Sequence, residues 1–208
     1  MPKVGVAAMR KRALIRAAIT EVGRTGSLDV TVSQIAGRAG VSSALAHHYF
    51  GSKEQIFLHS MRHILSEFRA SVRRGVARAE GPRARIHAIV AASFEPRQFE
   101  KNVVAAWLAF YVEAQRSREA ARLLRVYARR LHSNFVFYLR KLISEAAARK
   151  TAQGMAAMID GFYIRCAMQD SAPDRSEAKR LVADYLDMSL ECEMAGRAGD
   201  VANAGAGG

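Results

Sequence analysis

Apolar residues return at three- and four-residue intervals along most of this chain, and the strict alternation of a half-buried strand is nowhere sustained. The pattern predicts an all-α protein. A first helix, from Arg10 to about Arg24, carries Leu14, Ala17, Ala18 and Val22 on one face and stops at Thr25-Gly26, leaving residues 1–8 as an arm. Val32, Ile35, Ala36 and Ala39 form a short second stripe. A third short helix follows from Ser42 to Phe50. From Ser52 to about Ala79, the positions Ile56, Phe57, Met61, Ile64, Leu65, Phe68 and Val72 mark one long helix with a stripe buried throughout. Gly81-Pro82 closes it. Further helices are expected at 83–94, 99–115, 117–148, 150–169 and 174–193, with breaks at Glu95-Pro96, Ser117, the Lys150-Thr151 region and the Ser171–Asp174 stretch; Asp174 with Glu177 resembles a capping box. The glycine-rich end, 195–208, buries too little to order itself and reads as a disordered tail.

The punctuation between 31 and 57 is denser than anywhere else. Thr31 with Gln34 has the spacing of a capping box, Gly40 supplies a left-handed stop, Val41 plugs the turn, and Ser42 can cap the next helix. Ser52 with Gln55 repeats the box. Helix, glycine-containing turn and helix make the spacing of a helix-turn-helix. An ordinary αα-corner shares that punctuation. The second short helix separates the two readings, because Ser42, Ser43, His47 and His48 make it a poor core element and a good groove-facing surface. Lys53, in the first turn of the long helix, adds charge beside free backbone N–H groups and suits a phosphate.

Charge sharpens this picture. The chain of 208 residues carries a formal charge of +13, and residues 1–80 hold 13 Lys and Arg against 5 Asp and Glu, the remainder 19 against 14. The excess gathers around the helix-turn-helix, as in a polyanion binder. Arg10, Lys11 and Arg12 at the entrance of the first helix fit either a phosphate backbone or a solvated surface. No apolar run approaches the about 18 residues of a membrane span, and the start lacks the apolar segment of a secretion signal, so a cytoplasmic protein without membrane contact is expected.

Two further messages come from the second half. Met155, Ile159, Phe162 and Tyr163, then Leu181, Val182, Tyr185, Leu186, Met188 and Leu190, cover more than one face of their helices. One chain has too few helices to bury both, which predicts a homodimer sealed through residues 151–193. Its two recognition helices would meet successive turns of duplex about 34–36 Å apart, on a near-palindromic operator. The other message is aromatic. Trp107, Phe110 and Tyr111 share a helix face, Tyr127 lies on the next stripe, and Phe162-Tyr163 follow Asp160. These residues fit a ring-rich core, and equally a cage that attracts a cation to ring faces with Asp160 or Glu113 alongside.

Other chemistry is thin. His59 and His63 stand four apart, but no further ligand converges from nearby sequence, so no metal site is expected. Cys166 and Cys192 fit no metal or disulfide framework. No nucleophile elbow, phosphate-binding glycine loop or paired metal motif is present, and neither catalytic residues nor a cofactor are expected.

The residues Thr31, Ile35-Ala36, Ala39-Gly40-Val41-Ser42, Tyr49-Phe50 and Lys53-Glu54 resemble the TetR family of one-component transcriptional repressors. The resemblance implies an N-terminal three-helix DNA-binding domain joined to a C-terminal helical domain for ligand binding and dimerisation: here 1–52, a connecting helix at 53–80, and 81–194. It also implies the dimer interface already inferred. Ala44 stands where the family usually has glycine and His47 where it often has a phosphate-contacting tyrosine; the docking mode survives, and the operator sequence stays open. On this reading Ser42, Ser43, Ala44, Leu45, His47 and His48 meet the groove, with Thr31, Tyr49 and Lys53 on the backbone. Trp107, Phe110-Tyr111, Ala128-Arg129-Arg130-Leu131, Ser133-Asn134 and Ile159-Asp160-Gly161-Phe162-Tyr163 resemble one branch of the family, the choline-responsive repressors of glycine betaine synthesis genes. That implies choline as the effector; the residues inferred here to bind it are Trp107, Phe110, Tyr111, Tyr127, Asp160 and Tyr163. Three other readings remain: a repressor answering a different cationic or hydrophobic molecule, an architectural protein without sequence preference, and a small-molecule module whose DNA contact is incidental.

Overall fold

The computed structural model describes residues 3–168 and 174–205. All its regular elements are helical: α1 (Lys3–Thr25), α2 (Val32–Arg38), α3 (Ser43–Phe50), α4 (Lys53–Arg78), α5 (Gly81–Ser93), a 3-10 turn (Pro96–Gln98), α6 (Lys101–Glu113), α7 (Arg118–Leu139), α8 (Glu145–Met168) and α9 (Arg175–Gly205). An all-α fold with an N-terminal helix-turn-helix is what the periodicity predicts.

Three boundaries differ from expectation. α1 begins at Lys3, so the described part of the expected arm is helical. The single helix expected over 117–148 ends at Leu139, and the next starts at Glu145 instead of near Thr151. Ser144 makes that break. Its hydroxyl accepts from the Ala147 N–H at 3.3 Å, an N-cap, while Ile143 is buried in the connection. No glycine or proline marks the site, which is why periodicity ran through it. α9 continues to Gly205, past Ala195 where composition predicts a tail; a helix already nucleated lengthens at little cost. The Ser171–Pro173 break lies outside the described residues. Beside it, Asp174 accepts from the Ser176 N–H at 2.8 Å, whereas Glu177 pairs with Arg180 at 3.6 Å, so the expected box is a simple cap.

Compactness groups the chain differently from the sequence boundary at Gly81-Pro82. One unit comprises Met1–Arg69 with Pro96–Val126, the other Ala70–Glu95 with Tyr127–Gly208. In the first, α1 packs on α2 and α6, and α2 on α3. Leu14, Ala18, Val22, Ile35, Ala46, Ile56 and Met61 are buried there. The α1–α6 approach is unusually close at Gly23, where a Cβ would stand 2.3 Å from the Asn102 Cα. In the second unit α9 packs on α8 and α5, with Phe135, Leu139, Met155, Ile159 and Leu186 buried. A Cβ at Gly154 would lie 2.2 Å from the Tyr185 hydroxyl oxygen, so glycine lets that side chain cross α8.

Candidate nucleic-acid interface and ligand residues

The helix-turn-helix is held by its own caps. The Thr31 hydroxyl accepts from the Gln34 N–H at 3.1 Å, and the Gln34 side-chain oxygen accepts from the Thr31 N–H at 2.8 Å, the complete capping box. Gly40 has φ +68°, the left-handed conformation its position in the turn requires, and the Val41 N–H closes the turn onto the Ala36 carbonyl at 3.0 Å. Ser42 then caps α3, its hydroxyl accepting from the Leu45 N–H at 3.2 Å. At Ser52, the hydroxyl takes the Gln55 N–H at 3.3 Å; it also hydrogen-bonds Glu54, whose carboxyl is held below the usual range chiefly for that reason.

α3 buries Ala46 and Phe50 and exposes Ala44, His47 and His48, with Ser43, Leu45 and Tyr49 half-buried. His47 Nδ1 lies 3.1 Å from the Gly51 carbonyl. A carbonyl can only accept, so Nδ1 is the donor in this contact. Lys11 of α1 places Nζ 5.5 Å from the Tyr49 ring centroid, fastening the far end of α3 to the basic entrance of α1. Lys53 Nζ donates to the Leu28 carbonyl at 3.3 Å; one of its three donors is therefore spent inward, leaving two for a phosphate.

Sequence reasoning missed the residue that holds α2 on α1. Glu21 is 4% exposed, and its carboxylate accepts from Arg24 at 3.0 Å and from Arg38 of α2. The Arg38 hydrogen bond is the main cause of its lowered pKa; burial opposes it, and Arg24 adds to the lowering. The signal was a charged residue inside the apolar stripe Leu14, Ala18, Val22.

The six candidate ligand residues divide between the units. In the first, α6 carries Trp107 and Phe110, both buried, and half-buried Tyr111; the Trp107 and Tyr111 rings are 6.0 Å apart, inclined at 31°. Phe110 also borders a groove of about 600 Å³ with Phe57, Met61, Glu54 and Glu113. In the second, Tyr127 of α7 is buried, and Asp160 and Tyr163 lie one turn apart on α8. The Tyr163 hydroxyl donates to the Ser93 carbonyl of α5, and Phe162 meets Phe94 edge-on at 5.9 Å. His59 faces the Phe50 ring at 5.2 Å; burial lowers the pKa of both His59 and His63, and among the described residues no three His, Cys, Asp or Glu side chains converge as a metal site. No described helix is long and apolar enough to cross a membrane.

Comparison with known proteins bears on both halves. Residues 14–59 match the tetR family of bacterial regulatory proteins, and residues 82–191 match the C-terminal domain of BetI-type transcriptional repressors. The HTH-type transcriptional regulator BetI of Brucella anthropi is 53% identical over 190 residues, covering 91% of this chain and 98% of that protein. The regulator of the same name from Agrobacterium fabrum is 49% identical, covering 92% and 93%. A putative transcriptional regulator from Saccharomonospora viridis, solved in complex with choline, shares the fold with a TM-score of 0.76 at 19% identity, covering 85% of this chain and 95% of its own.

Proposed function

The chain belongs to the TetR family of bacterial transcriptional regulators, with a C-terminal domain of the BetI type, and we propose that choline is the small molecule that modulates its grip on the operators of choline and glycine betaine genes. It is a DNA-binding transcriptional repressor, and its family acts by binding rather than by catalysis. The observation that carries the choline reading is the BetI-type C-terminal domain, 53% identical to a named BetI over nine-tenths of the chain. The chemistry agrees: a quaternary ammonium cannot donate a hydrogen bond, and ring faces with a carboxylate are what it can use. In the first unit Trp107, Phe110 and Tyr111 offer such rings with Glu113 on the same helix, and in the second Tyr127 and Tyr163 offer rings with Asp160 as a carboxylate. A protein of this fold also holds choline.

Trp107 is the sole tryptophan, so indole fluorescence reports on this site directly. Choline is expected to change the emission saturably while sodium chloride at equal ionic strength does not. Tyr111→Leu, at a half-buried position, should weaken choline about tenfold, the loss of one cation–ring contact, with the helical circular dichroism unchanged. A flat titration by fluorescence and by calorimetry would remove choline and leave a repressor that answers another cationic or hydrophobic molecule.

On DNA, α3 enters the major groove with Ser42, Ser43, Ala44, Leu45, His47 and His48 facing the bases, and Thr31, Tyr49 and Lys53 meet phosphates. The partner is a near-palindromic operator, read by a homodimer. Ile164, Leu181, Met188 and Met194 support that assembly: they are exposed apolar side chains on α8 and α9, Met188 at 67%. Met188→Glu should convert the dimer to a monomer in sedimentation equilibrium and weaken operator binding by about two orders of magnitude, since each half-site is then bound alone. A dimer that survives both Met188→Glu and Leu181→Glu would place the interface elsewhere.

A further inference from the structure

α1 runs past the core it helps to build. Leu14 is fully buried, but no residue from Gly5 to Ala13 is, so the helix projects beyond the packed interior from there back to Lys3. At about 1.5 Å per residue this overhang is about 16 Å long. Arg10 and Lys11 stand four and three positions before Leu14, on the stripe that further along carries Leu14, Ala18 and Val22. The face that meets the core therefore turns basic where the core ends. Beyond that edge it meets the far end of α3. Lys11 Nζ lies 5.5 Å from the ring centroid of Tyr49, the residue assigned above to the operator backbone.

The charge of the overhang has no internal partner. The first 20 residues hold Lys3, Arg10, Lys11, Arg12 and Arg16 and no Asp or Glu. Arg10, Lys11, Arg12 and Arg16 enter no ion pair among the described residues, and in the same unit Glu21, Glu67 and Glu119 are bound by other arginines. A helix surface meant only for water gains by mixing the two signs, since charges of one sign repel each other. α1 has no acidic residue before Glu21. Complementary charge and continuity with the surface that reads DNA identify the partner. We propose that the overhang of α1 is a second DNA contact, in which Arg10 and Lys11 bind phosphates outside the half-site read by α3, next to those that Tyr49 meets. This contact presupposes the docking of α3 proposed above. The Tyr49 ring fixes where the Lys11 ammonium stands before DNA arrives, so less ordering is lost on docking. Phosphates carry no sequence information, and each half-site therefore gains affinity from flanking duplex of any sequence. The overhang matches about five base-pair steps of about 3.4 Å, which sets how much flank is used.

The test uses the full-length protein and the duplex it prefers in selection from random sequence. Two lengths are compared: one ends at the outermost position with a base preference, and one runs about five base pairs further at each end with either of two unrelated flanks. The parent should bind the longer duplex about tenfold more tightly whichever flank it carries, and the double variant Arg10→Gln, Lys11→Gln should bind both lengths alike. On the longer duplex the variant's slope of log affinity against log salt should be shallower by about 3–4, the loss of four phosphate contacts in the dimer. Its preference for the selected duplex over a scrambled one should equal the parent's. A Lys11 that merely seats Tyr49 would erode that preference and spare the slope. The charge-keeping pair Arg10→Lys, Lys11→Arg should behave as the parent. Equal affinity of the parent for both lengths, or a double variant with the parent's salt slope, overturns the proposal and leaves the reading by α3 intact. A parent with no preferred duplex overturns that reading, and this contact with it.

Discussion

Gly23→Ala is expected to lower the melting temperature more than any other single-methyl addition in the N-terminal unit. The added Cβ would stand 2.3 Å from Asn102 Cα and 2.7 Å from its carbonyl oxygen, so main chain must move; no flexible side chain is available to yield. Overpacking of this kind costs about 1–3 kcal/mol when side chains can adjust, and a backbone–backbone clash belongs at the upper end. Alanine would otherwise favour the helix by about 1 kcal/mol, so an unchanged or raised melting temperature would show that α1 and α6 are not in contact as described. Gly37 is the control. Nothing lies within 4 Å of its Cβ direction, and Gly37→Ala should be neutral or mildly stabilising.

Glu21→Ala is expected to destabilise the protein by about 2 kcal/mol and to weaken operator binding with it. The change removes a buried carboxylate that binds two guanidiniums; these are 58% and 42% exposed and can return to water, which limits the loss. What it cannot replace is the link from α1 to α2, on which α3 is seated. The pH dependence identifies the cause. The folded carboxyl titrates below its ordinary value of 4.5, so its contribution is full above that value and is lost as pH falls through the folded value. Glu21→Gln should therefore flatten the acid limb of the stability–pH curve while leaving its alkaline side parallel to the parent's. Denaturant melts between about pH 3 and pH 7 measure this, and parallel acid limbs would remove Glu21 as the linked group.

The helix-turn-helix was legible almost residue by residue because its signals are local. Thr31–Gln34 and Ser42 are capping chemistry within four residues, and Gly40 is a stop that only a left-handed position demands. The break at Ser144 carries the same kind of cap but no glycine or proline, and an apolar stripe on either side concealed it. Glu21 and Gly23 could not be read at all in their roles, since their partners, Arg38 and Asn102, lie 17 and 79 positions further along. The aromatic residues were legible as a set from their helical spacing. Their division between α6 on one side and α7 and α8 on the other is a matter of tertiary grouping, which periodicity does not encode.

The caps of the helix-turn-helix carry a last consequence, for how an operator is found. Thr31 and Ser42 spend their hydroxyls on the backbone of their own helices, and the turn between those helices is closed by the Val41 N–H. A reading head fastened in this way gives up little ordering entropy when it docks. It also cannot mould itself to a mismatched groove. Adaptation then falls to the duplex, so discrimination extends to base steps that no side chain touches, through the ease with which each sequence bends or narrows to meet a rigid probe.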